Sequence, residues 1–310
     1  MTANIDAAMG FAPDYDSPVP YMQRTREYYQ AIGYDPYRWA HYIEVPFAPM
    51  TKRLSEARIG LITTAAPFDP AKGDQGPGAA YNSGAKFYEP YSGDTSQEHD
   101  LRISHIGYDR KHTTATDSHS WFPLHALRRA VAAGRIREIA PRFHGAPTNR
   151  SHRHTVTVDA PELLKRVRED AVDAVLLVPN CPVCHQTCSL VARHLEANGI
   201  PTVVMGCAKD IVEHCGVPRF LFSDFPLGNS AGKPHDQPSQ DATLELALKL
   251  LESAIGPRTT LQSPQRWNED GRWKMDYNNL EQIGEAELKR RRDEFLRQKE
   301  IARSLREKAA

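Results

Sequence analysis

Five cysteines make up the whole complement of this 310-residue chain: Cys181, Cys184, Cys188, Cys207 and Cys215. The first 180 residues hold none. Cys181 and Cys184 form a CxxC pair in LLVPNCPVCHQTC, where an apolar run gives way to a helical pattern. Two thiols at this spacing come within disulfide reach once the first helical turn forms. A cysteine at a helix start faces unpaired N–H groups and the positive end of the helix dipole, and both favour thiolate over thiol. Pro182 fits there, because its missing N–H would lack an intrahelical partner in any case. The pattern predicts redox or covalent sulfur chemistry, with Cys181 as exposed nucleophile and Cys184 as resolving thiol. His185 is placed to supply a proton or stabilise a thiolate, or else is an ordinary helix histidine.

Other chemistries fit the same residues less well. CPVCH matches the c-type haem attachment pattern, but that chemistry needs export, and the N-terminus shows neither a basic start nor an apolar core. Cys181, Cys184, His185 and Cys188 could bind zinc or part of an iron–sulfur cluster, but the four are crowded within eight positions and no second knuckle follows. A purely structural pair is the third alternative. Cys188 shares a helical face with Val191 and Leu195 and reads as core; Cys207 could face the same rim as the pair; Cys215 reads as structural. His152-Arg153-His154 alternate as in a strand and suggest a polar edge. No bound metal is expected.

The elements that must position the pair follow from periodicity. RIGLITTAA (58–66) reads as a buried strand, 67–100 as a long polar loop and DLRISHIGYD (100–109) as a second strand. A helix starts near Pro123 and stops at Gly134. From 161 a regular rhythm sets in: helix PELLKRVRED, strand AVDAVLLVPN, helix to Gly199, strand IPTVVMGC, helix to Gly216, strand PRFLFSDFP, then a helix over 243–256. This predicts an α/β fold: a mostly parallel sheet of βαβ units in Rossmann- or flavodoxin-like layers. In such sheets ligands bind beyond the carboxyl ends of strands, where Cys181 stands. Residues 1–57 read as an N-terminal arm, 58–258 as the α/β domain, with a possible split near 150–160, and 259–310 as a tail ending in a charged helix with Leu288, Phe295, Leu296, Ile301 and Leu305 as its apolar stripe.

Composition narrows the function. Lys plus Arg and Asp plus Glu both number 39, which leaves no net charge to attract nucleic acid. No apolar run is long enough to cross a membrane. Mean hydropathy is −0.57, and a cytoplasmic protein is expected.

VDAVLLVPNCPVCHQT, ARHLEANGIPTVVMG and FPLGNSAGKP resemble the catalytic B-type subunits of glycine, sarcosine, betaine and D-proline reductases. ISHIGYDRKHTTATDSHSWFPLHALRRAVAAGRI resembles an upstream block of that family, and RIGLITTAA its first strand, so the likeness spans residues 45–257. The resemblance implies that Cys181 stands where the family typically has selenocysteine, with Cys184 its partner. It implies attack on a substrate carbon next to a carboxylate and displacement of an amine that is activated by a pyruvoyl group on a partner subunit. A thiol donor then recycles the pair. Sulfur in place of selenium means a higher pKa and a weaker nucleophile, and no pyruvoyl-forming cleavage site is visible in this chain.

The expectation is therefore an oxidoreductase that cleaves a C–N or other carbon–heteroatom bond of a small amino-acid-like substrate. It would carry no bound cofactor, take electrons from a thioredoxin-like or small thiol, and work as a homo- or hetero-oligomer. A thiol–disulfide oxidoreductase and a metal-binding subunit of a larger complex stay open. Asp109, Arg110 and Asp117, with Asp224 and Lys233 near the FPLGNSAGKP loop, are the expected substrate wall. Arg110 or Lys233 would hold a carboxylate.

Overall fold

The structure, a computed structural model, describes residues 15–309, and side chains for residues 15–304. The first 14 residues of the expected arm, and the Leu305 side chain of the tail's stripe, lie outside the described residues. In chain order the strands are β1 (Arg58–Thr63), β2 (Ala66–Pro67), β3 (Tyr91–Asp94), β4 (Leu101–Arg102), β5 (Glu138–Ile139), β6 (Arg142–Gly145), β7 (Ala174–Val178), β8 (Thr202–Gly206), β9 (Arg219–Phe222) and β10 (Thr259–Gln262). The longer helices are α1 (Tyr21–Ala31), α2 (Leu124–Ala132), α3 (Ala160–Glu169), α4 (Pro182–Ala197), α5 (Lys209–Cys215), α6 (Gln237–Ser253) and α7 (Glu285–Ala309).

The main sheet runs β10-β9-β8-β7-β1-β6-β3, with β5 also beside β1. Every pairing in it is parallel except β3 with β6. Alternation along the strands explains why helices cover both faces. Leu61, Leu176, Val203 and Leu221 point to one side and pack with Leu127 of α2 and Leu244 and Leu248 of α6. Ile62, Leu177, Val204 and Phe222 point to the other and pack with Leu163 of α3 and Val191 and Leu195 of α4. From β1 the chain moves first to β5 and β6 on one side, then crosses to β7 on the other. The strand order therefore reverses between β1 and β7, and the crevice at their carboxyl ends is the switch point of the sheet.

Three local expectations are corrected. Of 100–109, only Leu101–Arg102 is strand, paired with Ala66–Pro67. The rest is irregular and turns at 106–107, where Arg110 holds the carbonyls of His105 and Ile106 at 2.9 and 2.7 Å. His152–His154 is a helical turn, not a strand: Ser151 caps it by accepting the His154 N–H at 3.2 Å. The polar loop 67–100 contains the edge strand β3, whose partner β6 is too short to announce itself by alternation.

The arm and the tail meet beside the switch point. Tyr28 and Tyr29 of α1 are buried with Phe295 of α7, and the rings of Tyr34 and Phe295 are 4.4 Å apart. Of the tail's expected stripe, Phe295 is buried and Leu288 packs against it, whereas Leu296 and Ile301 are exposed. Among the described residues, no helix is long and apolar enough to cross a membrane.

Candidate functional site

The switch point is stitched together by Thr64, just past β1. Its hydroxyl accepts the backbone and side-chain N–H groups of Asn180 at 3.1 and 3.2 Å. Its N–H donates to Val178 O at 3.3 Å. Asn180 is thereby held at the end of β7, and the next residue, Cys181, caps α4 with extended backbone. The Cys184 N–H points at Cys181 Sγ at 3.2 Å, the arrangement that favours a thiolate at a helix start. The two sulfurs are joined in a disulfide, with Cα atoms 4.9 Å apart. Cys181 keeps 4% of its surface exposed and Cys184 none, so an incoming group meets Cys181 first.

A narrow cavity of about 30 Å³ opens over Cys181. Lys86, His105, Thr148 and Arg150 form its polar wall, and Tyr28, Tyr29 and Tyr277 close it from the arm and the tail. Its described lining contains two cations and no carboxylate. The Lys86 ammonium donates to Thr148 O, and Thr148 Oγ1 is 3.6 Å from Cys184 Sγ. Arg150 lies over the rings of Phe295 and Tyr29, 5.4 and 5.9 Å from their centroids. His105 Nε2 donates to Thr64 O at 2.7 Å. Burial, helped by the nearby Lys86 charge, pushes the pKa of His105 down to about 3, so the ring is neutral with its lone pair on Nδ1. A larger cavity of about 380 Å³ adjoins the first and shares Tyr28, Tyr81, Ile106, Tyr277 and Asn278 with it.

The residues singled out from the sequence fall in different places. Cys181 and Cys184 are together at the cavity floor. His185 faces the opposite way: Nδ1 donates to Cys181 O at 2.8 Å and Nε2 accepts from Cys207 N at 2.9 Å. Burial pushes its pKa down to about 4. Asp109 and Arg110 line the larger cavity, not the smaller. Asp109 accepts the N–H groups of Lys111 and His112, and burial raises its pKa. Arg110 spends its donors on the carbonyls of Ala79, His105 and Ile106. Asp117 caps the turn at Ser118 and receives His235 N and Gln240 Nε2. Asp224 pairs with Lys274, and Lys233 is bound through its backbone to Ser239 and Gln240. None of these three lines either cavity at the disulfide. The FPLGNSAGKP loop instead buttresses β7, with Ser230 Oγ donating to Pro179 O at 2.6 Å. Cys188, Cys207 and Cys215 are reduced and buried; burial pushes the last two thiols up to about 12.

Sequence reading missed His105, Lys86, Thr148 and Arg150. His105 carried a signal, as a lone histidine in the apolar ISHIG just before a glycine. The other three gave none, since their loops become neighbours of Cys181 only when the chain crosses from β6 to β7.

The site is thus a disulfide at the switch point of a doubly wound α/β sheet, under a cavity lined by two cations. The description "Glycine/sarcosine/betaine reductase selenoprotein B" belongs to the family model that matches residues 35–180. D-proline reductase subunit gamma of Acetoanaerobium sticklandii is 30% identical over 209 residues, which cover 66% of this chain and 82% of that protein. Glycine reductase complex component B subunit gamma of Symbiobacterium thermophilum is 25% identical over 220 residues, 69% of this chain and 49% of its own length. Sarcosine reductase complex component B subunit beta of Peptoclostridium acidaminophilum is 23% identical over 231 residues, 70% of this chain and 50% of its own length. No solved structure is significantly similar to the chain. The chain belongs to the glycine/sarcosine/betaine reductase selenoprotein B family, a family of oxidoreductases. It spans about half the length of the glycine and sarcosine reductase relatives.

Proposed function

We propose that this chain is the thiol-bearing subunit of a reductase complex that removes an amine from a small amino acid. The observation that carries this reading is the Cys181–Cys184 disulfide at the floor of a cavity whose described lining includes the cations Lys86 and Arg150. Two cations beside one cavity offer charge-assisted hydrogen bonds to a substrate carboxylate. A carboxylate held there puts its neighbouring carbon over Cys181. The Cys181 thiolate attacks that carbon, a C–S bond forms, and the C–N electron pair leaves on the amine with a proton. Cys184 then attacks Cys181 Sγ. The S–S bond forms, and the C–S pair passes to the carbon and takes up a proton. The dithiol has lost two electrons and the substrate has gained them. An external thiol donor returns the pair to the reduced state by exchange.

The pyruvoyl group that the resemblance places on a partner subunit is not part of this chain. The cavity of the disulfide form, about 30 Å³, holds one or two waters, so it has to widen in the reduced form before substrate or that group enters, and no step here runs through the group. His185, bonded away from the sulfurs, is a positioning residue in this scheme. Asp109 and Arg110 shape the larger cavity through which substrate enters.

Halocarboxylates test the reading without any amine activation. Free thiols react faster with iodoacetamide than with the anion iodoacetate. At Cys181 of the reduced chain the order is expected to reverse, by about tenfold for a net gain near 1.4 kcal/mol. Lys86→Met and Arg150→Met should each move it back toward the free-thiol order. A reduced chain that keeps the free-thiol order at Cys181 overturns the carboxylate site.

A further inference from the structure

We propose that the reduced thiols of Cys181 and Cys184, together with His105, bind one zinc-type divalent ion, which excludes the disulfide while it is bound. A ring nitrogen of His105 and the two Sγ atoms lie within 4.8 Å of one another, and all three residues are buried. A tetrahedral zinc site with Zn–S near 2.3 Å and Zn–N near 2.0 Å has ligand edges of roughly 3.5 Å. Once the S–S bond is broken, the three groups therefore need to move by only about an ångström.

The setting of His105 is the second, independent observation. Histidine ligands almost always donate their other ring N–H to a carbonyl or carboxylate, which fixes the tautomer. His105 does so through Nε2 to Thr64 O at 2.7 Å, leaving the lone pair on Nδ1. Thr64 in turn holds Asn180, the residue before Cys181, so ligand and thiols are tied to one hydroxyl-bearing residue. The histidine next to the pair in sequence is not available: both ring nitrogens of His185 are bonded elsewhere. Cys188 is buried in the core between α4 and the sheet. Two thiolates and one neutral imidazole balance a dication, and three protein ligands leave a fourth position open, the pattern of a reactive rather than a structural zinc site.

The balance is simple. A divalent ion replaces the two thiol protons, which are released. Oxidation of the pair by a disulfide-type oxidant removes two electrons from the same sulfurs and frees the ion. Metal and disulfide therefore compete, and the ion holds the subunit in its reduced, non-cycling form. The proposal concerns the residues of the redox site but does not depend on turnover.

The full chain, reduced with a phosphine and then freed of it, is titrated with zinc against a chromogenic chelator. One equivalent is expected in the reduced chain, at least about 100-fold tighter than any uptake by the disulfide form. His105→Ala should weaken it by at least tenfold, while Cys188→Ser should not. X-ray absorption of zinc-loaded wild type provides a readout that needs no variant: two sulfurs near 2.3 Å and a nitrogen near 2.0 Å are expected. Equal uptake by both redox forms, unchanged affinity in a folded His105→Ala chain, or a shell of sulfur alone overturns the proposal. The iodoacetate order at Cys181 reads the reductase site separately, so either reading can fail while the other stands.

Discussion

His185 Nε2 accepts the backbone N–H of Cys207 at 2.9 Å and that of Ala208 at 3.2 Å, which bolts the start of α4 to the end of β8. Gly206 makes room for this: a Cβ there would lie 2.7 Å from the imidazole. An acceptor at Nε2 must be unprotonated, so the ring is neutral and serves the fold at the redox site without meeting the sulfurs.

Stability should record that neutrality. The folded pKa, about 4, lies below the ordinary histidine value near 6.5. Between those values the unfolded chain binds a proton that the folded chain does not. The stabilisation is therefore full above about pH 6.5 and is lost as pH falls, at about 1.4 kcal/mol per unit. Buried acids such as Glu196 and Asp210, whose pKa values burial raises, tilt the absolute profile the other way. The informative quantity is the difference between wild type and His185→Gln. In urea melts that difference should be largest near pH 7.5 and shrink below pH 6.5. A constant gap down to pH 5 would count against a buried neutral ring.

The two thiols should fail differently when changed. Cys181→Ser replaces a tuned thiol by a hydroxyl that hardly ionises near neutral pH, so no substrate adduct should form. Cys184→Ser keeps the nucleophile, which is the less deeply buried member of the pair, and removes the internal route to the disulfide. Intact-mass measurement in the assembled complex should find the adduct building up on Cys181. Activity should return only when an external thiol resolves it. An adduct on Cys184 in the Cys181→Ser chain would reverse the two roles.

How much of this was legible in the sequence depended on range. The strands β1, β7, β8 and β9 could be read because each is a short apolar run bounded by turn residues. The glycines that stop α4 and α5 could be read because Gly199 and Gly216 take positive φ, +83° and +82°. Cys181 at a strand end and helix start followed from the same local rules. The cationic wall did not, because Lys86, His105 and Arg150 come from three loops that only the sheet order brings together. Arg110 and Lys233 were chosen for charge near strand ends. The Arg110 donors turned out to be committed to loop carbonyls, and Lys233 lines neither cavity, which no local pattern reveals.

The buried pair Glu196–Arg219 offers a test of how the arm is anchored. Both side chains are fully buried, with Arg219 Nη1 2.8 Å from Glu196 Oε1. Glu196 also accepts the N–H groups of Ala48 and Thr202, each at 2.5 Å, and Arg219 Nη2 donates to Ala48 O at 2.8 Å. The pair thus ties the last stretch of the arm to α4 and β9. Burial pushes the Glu196 pKa up to about 7, so desolvation is large and the bonds are what hold the carboxylate in place. Glu196→Gln would leave a buried guanidinium without its counter-charge and set an amide N–H₂ against a backbone donor. Breaking a buried pair in this way costs about 3–5 kcal/mol. The double change Glu196→Gln with Arg219→Met removes the stranded charge, so its loss should be smaller than the sum of the single losses by at least about 1 kcal/mol. The pair lies at the far end of α4 from Cys181. The folded variants should therefore keep the wild-type preference for iodoacetate over iodoacetamide. A Glu196→Gln chain as stable as wild type in urea would show that the arm is held by other contacts.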